Sequence, residues 1–200
     1  PIAWDVRLTD QELSYNNILD VSAAYELVSE IKTILPQHTG VVIVKHGNPC
    51  GVAFVPKKHP GSQLEALVKA WEGDPVSAFG GVAVFSDSIN SESASWLSER
   101  FVELVAAPEL QADSAELAKL TQKRKKLKAL CVRSWSGSPK QMQVRVPGGT
   151  LTQTTDQGFE NEKFNCVTQS KWKNSQEPLA FFGIAICRSL KSNAIALVRE

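Results

Sequence analysis

The stretch Val41-Val42-Ile43-Val44-Lys45-His46-Gly47-Asn48-Pro49-Cys50-Gly51 decides the fold. Four branched apolar residues in succession predict a short buried strand. A lysine and a histidine follow at once, and the glycines, asparagine and proline after them predict that the strand ends in a sharp loop. Open α/β sheets place their sites beyond such strand ends, so the Lys-His pair is the first candidate for a functional site.

Helix and strand patterns alternate on both sides of this stretch. A helix is predicted from Val21 to Leu35, and the loop after the central strand is predicted to run to about Pro60. Further helices are predicted over residues 63–71, 92–101, 114–121 and 175–190, and further strands over residues 82–85, 102–106, 130–132, 150–155 and 194–198. The alternation predicts α/β architecture with a largely parallel sheet. A stretch rich in Ser, Gly and Pro over residues 134–149 predicts a subdomain boundary.

Composition limits the classes of function. The 200 residues carry a net charge of +1, so no overall field favours nucleic acid or an anionic membrane as a partner. No apolar run approaches the roughly 18 residues that are needed to span a bilayer. The four cysteines are far apart and form no C-x-x-C pair, so we expect reduced thiols and a cytoplasmic location.

Lys45 and His46 have two interpretations. Histidine titrates nearest neutrality and can act as a base, and a lysine ammonium can stabilise negative charge that develops in a transition state. Neighbours on a regular strand point to opposite faces, so both serve one site only if the strand ends between or just after them, which Gly47 allows. The alternative is a solvated lysine beside a hydrogen-bonded structural histidine, and the two residues by themselves leave both interpretations open.

His46, Pro49 and Cys50 also match part of the zinc-deaminase pattern. That pattern needs a glutamate two residues after the histidine and a second cysteine three residues after the first. Asn48 and Ala53 occupy those positions, so a zinc ion would lack ligands and we predict no metal.

A second dense loop, Glu72–Gly81, precedes the next apolar run. Its segment Ser77-Ala78-Phe79-Gly80-Gly81 predicts either backbone N–H groups close to a ligand or a simple turn before a strand. Asp74 is a candidate base or a helix cap. The run Lys123–Lys128 carries five charges without interleaved aromatic residues, which favours a solvated helix end or loop over a nucleic-acid patch.

Several motifs together resemble one known family. K-H-x-N-P-C-G at 45–51, followed by D-P-x-S-A-F-G-G at 74–81, closely resembles AICAR transformylase, the formyltransferase part of a bifunctional purine biosynthesis protein that also carries IMP cyclohydrolase. Four more stretches resemble that family in the same order, namely L-S-Y-N-N at 13–17, F-V-E-x-x-x-A-P at 101–108, G-G-x-L-x-Q at 148–153 and K-S-N-A-I at 191–195. Six ordered matches make the resemblance specific.

The resemblance implies a cytidine-deaminase-like three-layer α/β/α fold, duplicated in tandem and without zinc. We expect residues 1–145 to form the first deaminase-like subdomain, which carries the Lys-His motif. Residues 146–200 would begin the second, truncated one. A homodimer with sites at the subunit interface is also implied.

The resemblance further implies phosphoribosylaminoimidazolecarboxamide formyltransferase activity. The formyl group of 10-formyltetrahydrofolate would pass to the 5-amino group of AICAR ribonucleotide in de novo IMP biosynthesis. His46 would be the base, Lys45 would stabilise the tetrahedral intermediate or help the leaving nitrogen depart, and Asn193 would orient the reacting groups. The predicted substrate-binding residues are Gly80, Glu103, Asn48, Ser77 and Phe79.

The sequence also departs from that family. Its R-Y-G-x-N-P-H-Q segment does not occur before Leu13, and its I-G-x-G-Q-x-S-R segment does not occur before Glu200. We therefore expect the first half of a formyltransferase unit, inactive or nearly so by itself. The alternative is a truncated or degenerate non-catalytic paralogue that keeps the fold and binds nucleotide. The joint presence of Lys45, His46 and Asn193 favours the enzyme, because a decayed copy has no chemical reason to keep all three.

Overall fold

A six-stranded sheet forms the centre of the protein, whose computed structural model describes residues 6–132, 141–156, 166–171 and 173–200. The strands of this sheet are β1 (Val6–Arg7), β2 (His38–Lys45), β3 (Asn48–Pro56), β4 (Val82–Phe85), β5 (Leu104–Ala107) and β6 (Lys128–Cys131). The helices are α1 (Tyr15–Ile34), α2 (Ser62–Gly73), α3 (Pro75–Ala78), α4 (Ser91–Ser98), α5 (Ala115–Gln122) and α6 (Glu177–Ser189). A separate hairpin consists of β7 (Gln141–Val146) and β8 (Gly149–Thr154).

Helices cover both faces of the sheet. Val41 and Ile43 of β2 pack into a core with α2, α4 and α5, whereas Val42 and Val44 pack into a second core with α1 and α6. This alternation is the two-residue period of a strand that is buried on both faces. The predicted three-layer α/β/α architecture is therefore confirmed.

The directions of the strands differ from the prediction. The sheet order is β1-β6-β5-β4-β2-β3, and only the β4–β5 and β5–β6 pairs are parallel among the described residues. β2 runs antiparallel to both of its neighbours. The prediction of a largely parallel sheet is thus wrong, because hydrophobic patterns show that a strand is buried and do not show its direction. As a result, Lys45 at the end of β2 lies beside the loops that enter β4 and β5.

The predicted loop up to Pro60 is also wrong, because residues 48–56 form β3 and close a hairpin with β2. Pro49 is compatible with this strand because β3 lies at the edge of the sheet. α2 lies so close to β3 that a Cβ atom on Gly51 would stand 1.7 Å from the backbone oxygen of Ala70. Only glycine permits that approach.

Apart from the strand at residues 194–198, the other predicted helices and strands begin and end close to their predicted positions, whereas β1, α3 and β7 were not predicted. α1 is the exception at its start, since it begins at Tyr15 rather than Val21. Ser14 and Asn17 form a reciprocal capping box there, in which the Ser14 hydroxyl accepts from Asn17 N–H at 3.1 Å. This cap places Asp20 within the second turn of α1, close to the end of β2. No helix in the described part of the chain has both the length and the apolar character needed to cross a membrane.

The C-terminal part packs against the main sheet through α6. Ala185 of α6 is fully buried with residues of α1 and the sheet. The predicted strand over residues 194–198 is wrong, because that segment pairs with no strand among the described residues and Ile195 and Leu197 are 85% and 96% exposed. Residues 134–140 of the predicted boundary segment lie outside the described residues, and the division at residue 145 stays a prediction.

Candidate functional site

The Lys-His pair forms the turn between β2 and β3. β2 ends at Lys45, and β3 begins at Asn48. His46 and Gly47 have φ angles of 55° and 72°, both in the left-handed region. For a residue with a Cβ atom this conformation costs about 1–2 kcal/mol, so surrounding contacts must hold His46 in place. The strand does end just after the lysine, as the sequence predicts, and both side chains lie at one end of the sheet.

Asp20 of α1 supplies the contact that holds this turn. Its carboxylate accepts the Gly47 N–H at 2.6 Å and the His46 N–H at 3.3 Å. The hydrogen bonds from these two successive N–H groups to one carboxylate offset the free-energy cost of the left-handed backbone. Sequence reasoning missed Asp20, which is 26 residues from His46 and has no motif linking the two positions.

Lys45 reaches across the sheet end to the second dense loop. Its Nζ donates to the backbone oxygen of Phe79 at 2.6 Å. The next residue, Gly80, has a φ angle of 74°, and its N–H donates to the Phe101 oxygen at 2.8 Å. A Cβ atom on Gly80 would lie 3.2 Å from the Phe101 ring and 3.9 Å from Lys45 Nζ, so the absence of a side chain keeps the space beside the ammonium open.

Asp74 acts as a helix cap in this loop. Its carboxylate accepts the Ser77 N–H at 3.0 Å and the Ser77 hydroxyl at 2.5 Å, which closes the short helix α3. These hydrogen bonds from the Ser77 side chain and backbone lower the pKa of Asp74, which makes it a weaker base. Of the two roles that the sequence leaves open, the structure favours the cap. Phe79 follows with its ring 58% exposed and 5.1 Å from that of Phe101.

Glu103 lies at the start of β5, next to the same loop. Its N–H donates to the Gly81 oxygen at 2.9 Å, and its carboxylate accepts from Lys128 Nζ at 2.8 Å. The hydrogen bond from Lys128, followed by that from the Asn17 side chain, lowers the pKa of Glu103 and keeps it ionised. Lys123 of the same basic run forms an ion pair with Glu99. Two of the five charges of this run are therefore paired within the protein, in line with the interpretation that opposes a nucleic-acid patch.

The segment that contains Asn193 lies against the Lys-His turn. Lys191 Nζ donates to the His46 oxygen at 3.4 Å, and the Lys191 N–H donates to Asn48 Oδ1 at 3.4 Å. Asn48 Nδ2 also donates to the His46 oxygen, at 3.3 Å. Asn193 itself is exposed and makes no hydrogen bond within the described part of the chain. The structure thus brings Lys191 to the turn, although it is 145 positions away from His46, and Asn193 follows it two residues later.

Cys50 lies behind the turn and is not available for chemistry. Its Sγ donates to the Ile43 oxygen at 3.3 Å, and burial raises the pKa of its thiol to about 11. Within the described residues, no group of three or more His, Cys, Asp and Glu side chains is arranged to hold a metal ion.

Most of the predicted site residues lie together at the amino ends of β4 and β5, whereas no hydrogen bond joins Ser77 or Asn193 to them among the described residues. Lys45, Gly80 and Phe79 are in direct contact, and Asn48 joins them through the turn. Glu103 is joined to this group through Gly81, the residue after Gly80, because the Glu103 N–H donates to the Gly81 oxygen. Sequence reasoning missed Asp20, Asn17, Lys128 and Lys191, which hold these groups. Of these four, Asn17 and Lys191 had a signal, since they lie in the motifs at 13–17 and 191–195, and Ser-x-x-Asn before an apolar pattern also resembles a capping box.

Comparisons with known proteins identify the family of the chain. The family model described as AICARFT/IMPCHase bienzyme matches residues 3–200. The bifunctional purine biosynthesis protein PurH of Nostoc punctiforme is 33% identical over 100% of this chain and 37% of its own length. PurH of Acidithiobacillus ferrooxidans is 37% identical over 97% of this chain and 35% of its own length. The chain thus spans just over a third of the length of these curated relatives.

Two solved structures show a partial likeness to this chain at low TM-scores. RibD of Acinetobacter baumannii gives a TM-score of 0.40 with 21% identity, over 56% of this chain and 35% of that one. The dCMP deaminase of cyanophage S-TIM5, solved with dCMP and dUMP, gives a TM-score of 0.41 with 13% identity, over 59% of this chain and 99% of that one. The family match covers nearly the whole sequence, and the chain belongs to the AICARFT/IMPCHase bienzyme family.

Proposed function

We propose that the protein acts in purine biosynthesis as a phosphoribosylaminoimidazolecarboxamide formyltransferase. The co-substrate is 10-formyltetrahydrofolate and the acceptor is AICAR ribonucleotide. The observation that carries the proposal is the fixed Lys45-His46 turn, whose lysine contacts the Phe79–Gly81 loop at the sheet end where Glu103 and Lys191 also lie. Family membership and the name of the PurH relatives support the same pathway.

The chemistry requires a base and a site for negative charge. The 5-amino group of the acceptor is conjugated with its ring and carboxamide, so it is a weak nucleophile until it loses a proton. Its nitrogen forms a bond to the formyl carbon, and the formyl oxygen becomes an oxyanion in the tetrahedral intermediate. The bond from that carbon to the folate nitrogen then breaks, and the folate nitrogen takes up a proton. No metal is needed, because positioning and hydrogen bonds supply the rate enhancement.

Lys45 would stabilise the oxyanion. An ammonium group has three N–H donors, and the described residues supply one acceptor, the Phe79 oxygen at 2.6 Å. That bond fixes the direction of the side chain and leaves donors for the formyl oxygen or the leaving nitrogen. His46, exposed on the adjacent turn, is the proposed base. Asn193 would orient the reacting groups from the segment that Lys191 attaches to the turn.

The nucleotide would bind along the loops beside this pair. Gly80 leaves backbone space next to Lys45, and the neighbouring Phe79 and Phe101 rings offer an exposed aromatic surface. Such a surface suits a planar heterocycle, because aromatic faces stack. The ionised Glu103 can accept hydrogen bonds from ribose hydroxyls, while Ser77 and Asn48 complete the proposed contacts. We further propose a cytoplasmic homodimer as the working form of the protein.

The proposal is tested by assay of the complete protein with AICAR ribonucleotide and 10-formyltetrahydrofolate. Release of tetrahydrofolate is followed by absorbance, with and without a metal chelator. Transfer that is insensitive to the chelator is the expected result. Nucleotide binding without any transfer would favour the non-catalytic paralogue instead. Failure to bind either compound would remove the proposal altogether.

A further inference from the structure

The outer edge of β3 is an open edge of the main sheet. β3 stands last in the strand order and pairs with β2 alone in the part of the chain that the structure describes. Exposed sheet edges are usually protected by charged side chains, because their unpaired N–H and C=O groups otherwise bind another strand. β3 has prolines near its two ends, at Pro49 and Pro56, and no charged residue between them. This composition suits an edge that is covered by a partner.

The backbone groups that face outward from β3 follow from the register of the sheet. Gly40 of β2 donates its N–H to the Ser86 hydroxyl at 2.8 Å, and its oxygen accepts the Ser86 N–H at 2.9 Å, so both groups point to the β4 side. In an antiparallel pair, the residue opposite such a position also turns its N–H and C=O away. Phe54 lies opposite Gly40, and Val52 has the same orientation two residues earlier. The N–H and C=O groups of Val52 and Phe54 therefore point outward from the sheet.

A groove of about 700 Å³ runs along this edge. Its lining includes Val52 and Phe54 of β3, Lys69 of α2, and Phe182 and Ile186 of α6. α2 and α6 pack on opposite faces of the sheet, so the groove lies between the two helical layers. The rings of Phe54 and Phe182 meet edge to face, with 6.3 Å between their centroids. A strand placed in the groove would extend the sheet and would be covered on both faces.

Residues 195–200 also line the groove and leave apolar side chains uncovered. Ala196 and Val198 are partly buried, and Val198 packs against α6. Ile195 and Leu197, which alternate with them, are 85% and 96% exposed. None of these residues makes a backbone hydrogen bond to β3 among those described. The groove therefore combines unpaired strand backbone with exposed apolar surface, which is typical of a place where another segment binds.

We propose that this groove binds an extended segment of the complete protein as an additional β-strand, which pairs with Val52 and Phe54 through backbone hydrogen bonds. The chain spans 37% and 35% of the length of the two PurH relatives, so the family has ample further sequence from which this strand can come. A strand between two helical layers is apolar on both faces and has no proline at the positions that donate to its neighbour. The proposal rests on the sheet geometry and on family membership, and it is independent of formyl transfer.

The test is hydrogen–deuterium exchange of backbone amides, followed by mass spectrometry with residue-level fragmentation, in the 200-residue chain and in the complete protein. In the 200-residue chain we expect the Val52 and Phe54 amides to exchange freely. The Ala53 and Val55 amides, which point to β2, should be protected in both proteins and serve as the internal reference. In the complete protein the Val52 and Phe54 amides should exchange about tenfold or more slowly than in the 200-residue chain, because each gains a hydrogen bond.

Three results would overturn the proposal. Free exchange of Val52 and Phe54 in the complete protein would show that the edge stays open. Slow exchange of both amides in a dilute solution of the 200-residue chain would show that this chain covers the edge by itself. Slow exchange that develops as the 200-residue chain is concentrated would show that a second copy fills the groove.

Two proline variants localise the contact. Val52→Pro removes an N–H that faces the groove, and an edge strand accepts this loss, so the 200-residue chain should keep its cooperative unfolding in urea. In the complete protein the same variant should speed exchange of the Phe54 amide about tenfold, since the added strand is held less firmly. Ala53→Pro is the matched control, because it removes an N–H that donates to β2 and should destabilise both proteins. An unchanged Phe54 rate in Val52→Pro would contradict the proposal, and the wild-type rates decide it if that variant does not fold.

Discussion

Asp20→Asn is the substitution that tests how the Lys-His turn is held. The Asp20 carboxylate accepts two backbone N–H groups, from His46 and Gly47, and touches no proposed substrate group. An asparagine has one oxygen and one NH₂ group at the same positions. The NH₂ group would face an N–H donor, so at least one of the two hydrogen bonds is lost.

The size of the effect follows from these contacts. A hydrogen bond to a charged group contributes about 1.5–3 kcal/mol. Asp20 is half-buried and its bond to His46 is long at 3.3 Å, so the lower end of that range applies. We expect a loss of about 1.5 kcal/mol in the free energy of unfolding. If His46 then leaves its left-handed conformation and the transition state loses the same free energy of stabilisation, kcat falls about tenfold, with little change in KM.

Two measurements check this prediction. Urea unfolding of the 200-residue chain gives the stability, and steady-state formyl transfer by the complete protein gives kcat and KM. Asp10→Asn makes the same chemical change at an exposed residue before α1 and should alter neither quantity. A variant that loses stability while its kcat stays at the wild-type value would refute the reasoning, because the turn would then be irrelevant to catalysis.

Three further predictions concern stability and reactivity. Gly51→Ala should lower the free energy of unfolding in urea by about 3 kcal/mol or more, because its Cβ would overlap the α2 backbone, whereas Gly149→Ala, with nothing within 4 Å, should be close to neutral. Cys50, whose burial raises its pKa from the ordinary 9.0 to about 11, should alkylate with iodoacetamide at pH 8 about a hundredfold more slowly in the native than in the unfolded protein; equal rates would contradict the burial argument. Glu103→Gln should cost up to about 1 kcal/mol at pH 7, since the 43% exposed carboxylate is partly screened. Because Lys128 lowers the folded pKa of Glu103, this contribution is full above the unfolded value of 4.5 and is lost as the pH falls through the folded pKa, so variant and wild type should converge in urea unfolding once the pH is below that folded pKa.

Much of the architecture was predictable because a strand that is buried on both faces has an uninterrupted run of apolar residues in the sequence. The run Val82–Phe85 is apolar at every position, and the structure has a fully buried strand over the same residues. β3 was not predicted, because Asn48-Pro49-Cys50-Gly51 has the composition of a loop. Those residues form a strand only because β2 and α2 are already beside them.

The candidate site was predictable in part. Residues with reactive side chains, Lys45 and His46, could be identified from the sequence, since they interrupt an apolar run. The contacts that hold these residues could not be identified from the sequence, because Asp20 and Lys191 come from distant positions and bind backbone atoms of the turn. Nor does an apolar pattern decide whether a segment is covered, as the exposed run over residues 194–198 shows.

The most direct test of the central claim is His46→Ala in the complete protein. The rate of formyl transfer and the Kd for AICAR ribonucleotide are measured side by side, with His59→Ala, an exposed histidine at the opposite end of β2, as the control. Loss of a general base lowers the rate by about 10²–10⁴-fold, and the account predicts a loss of that size with nucleotide binding largely intact. Unchanged turnover in His46→Ala would contradict the account and remove this histidine from the chemistry.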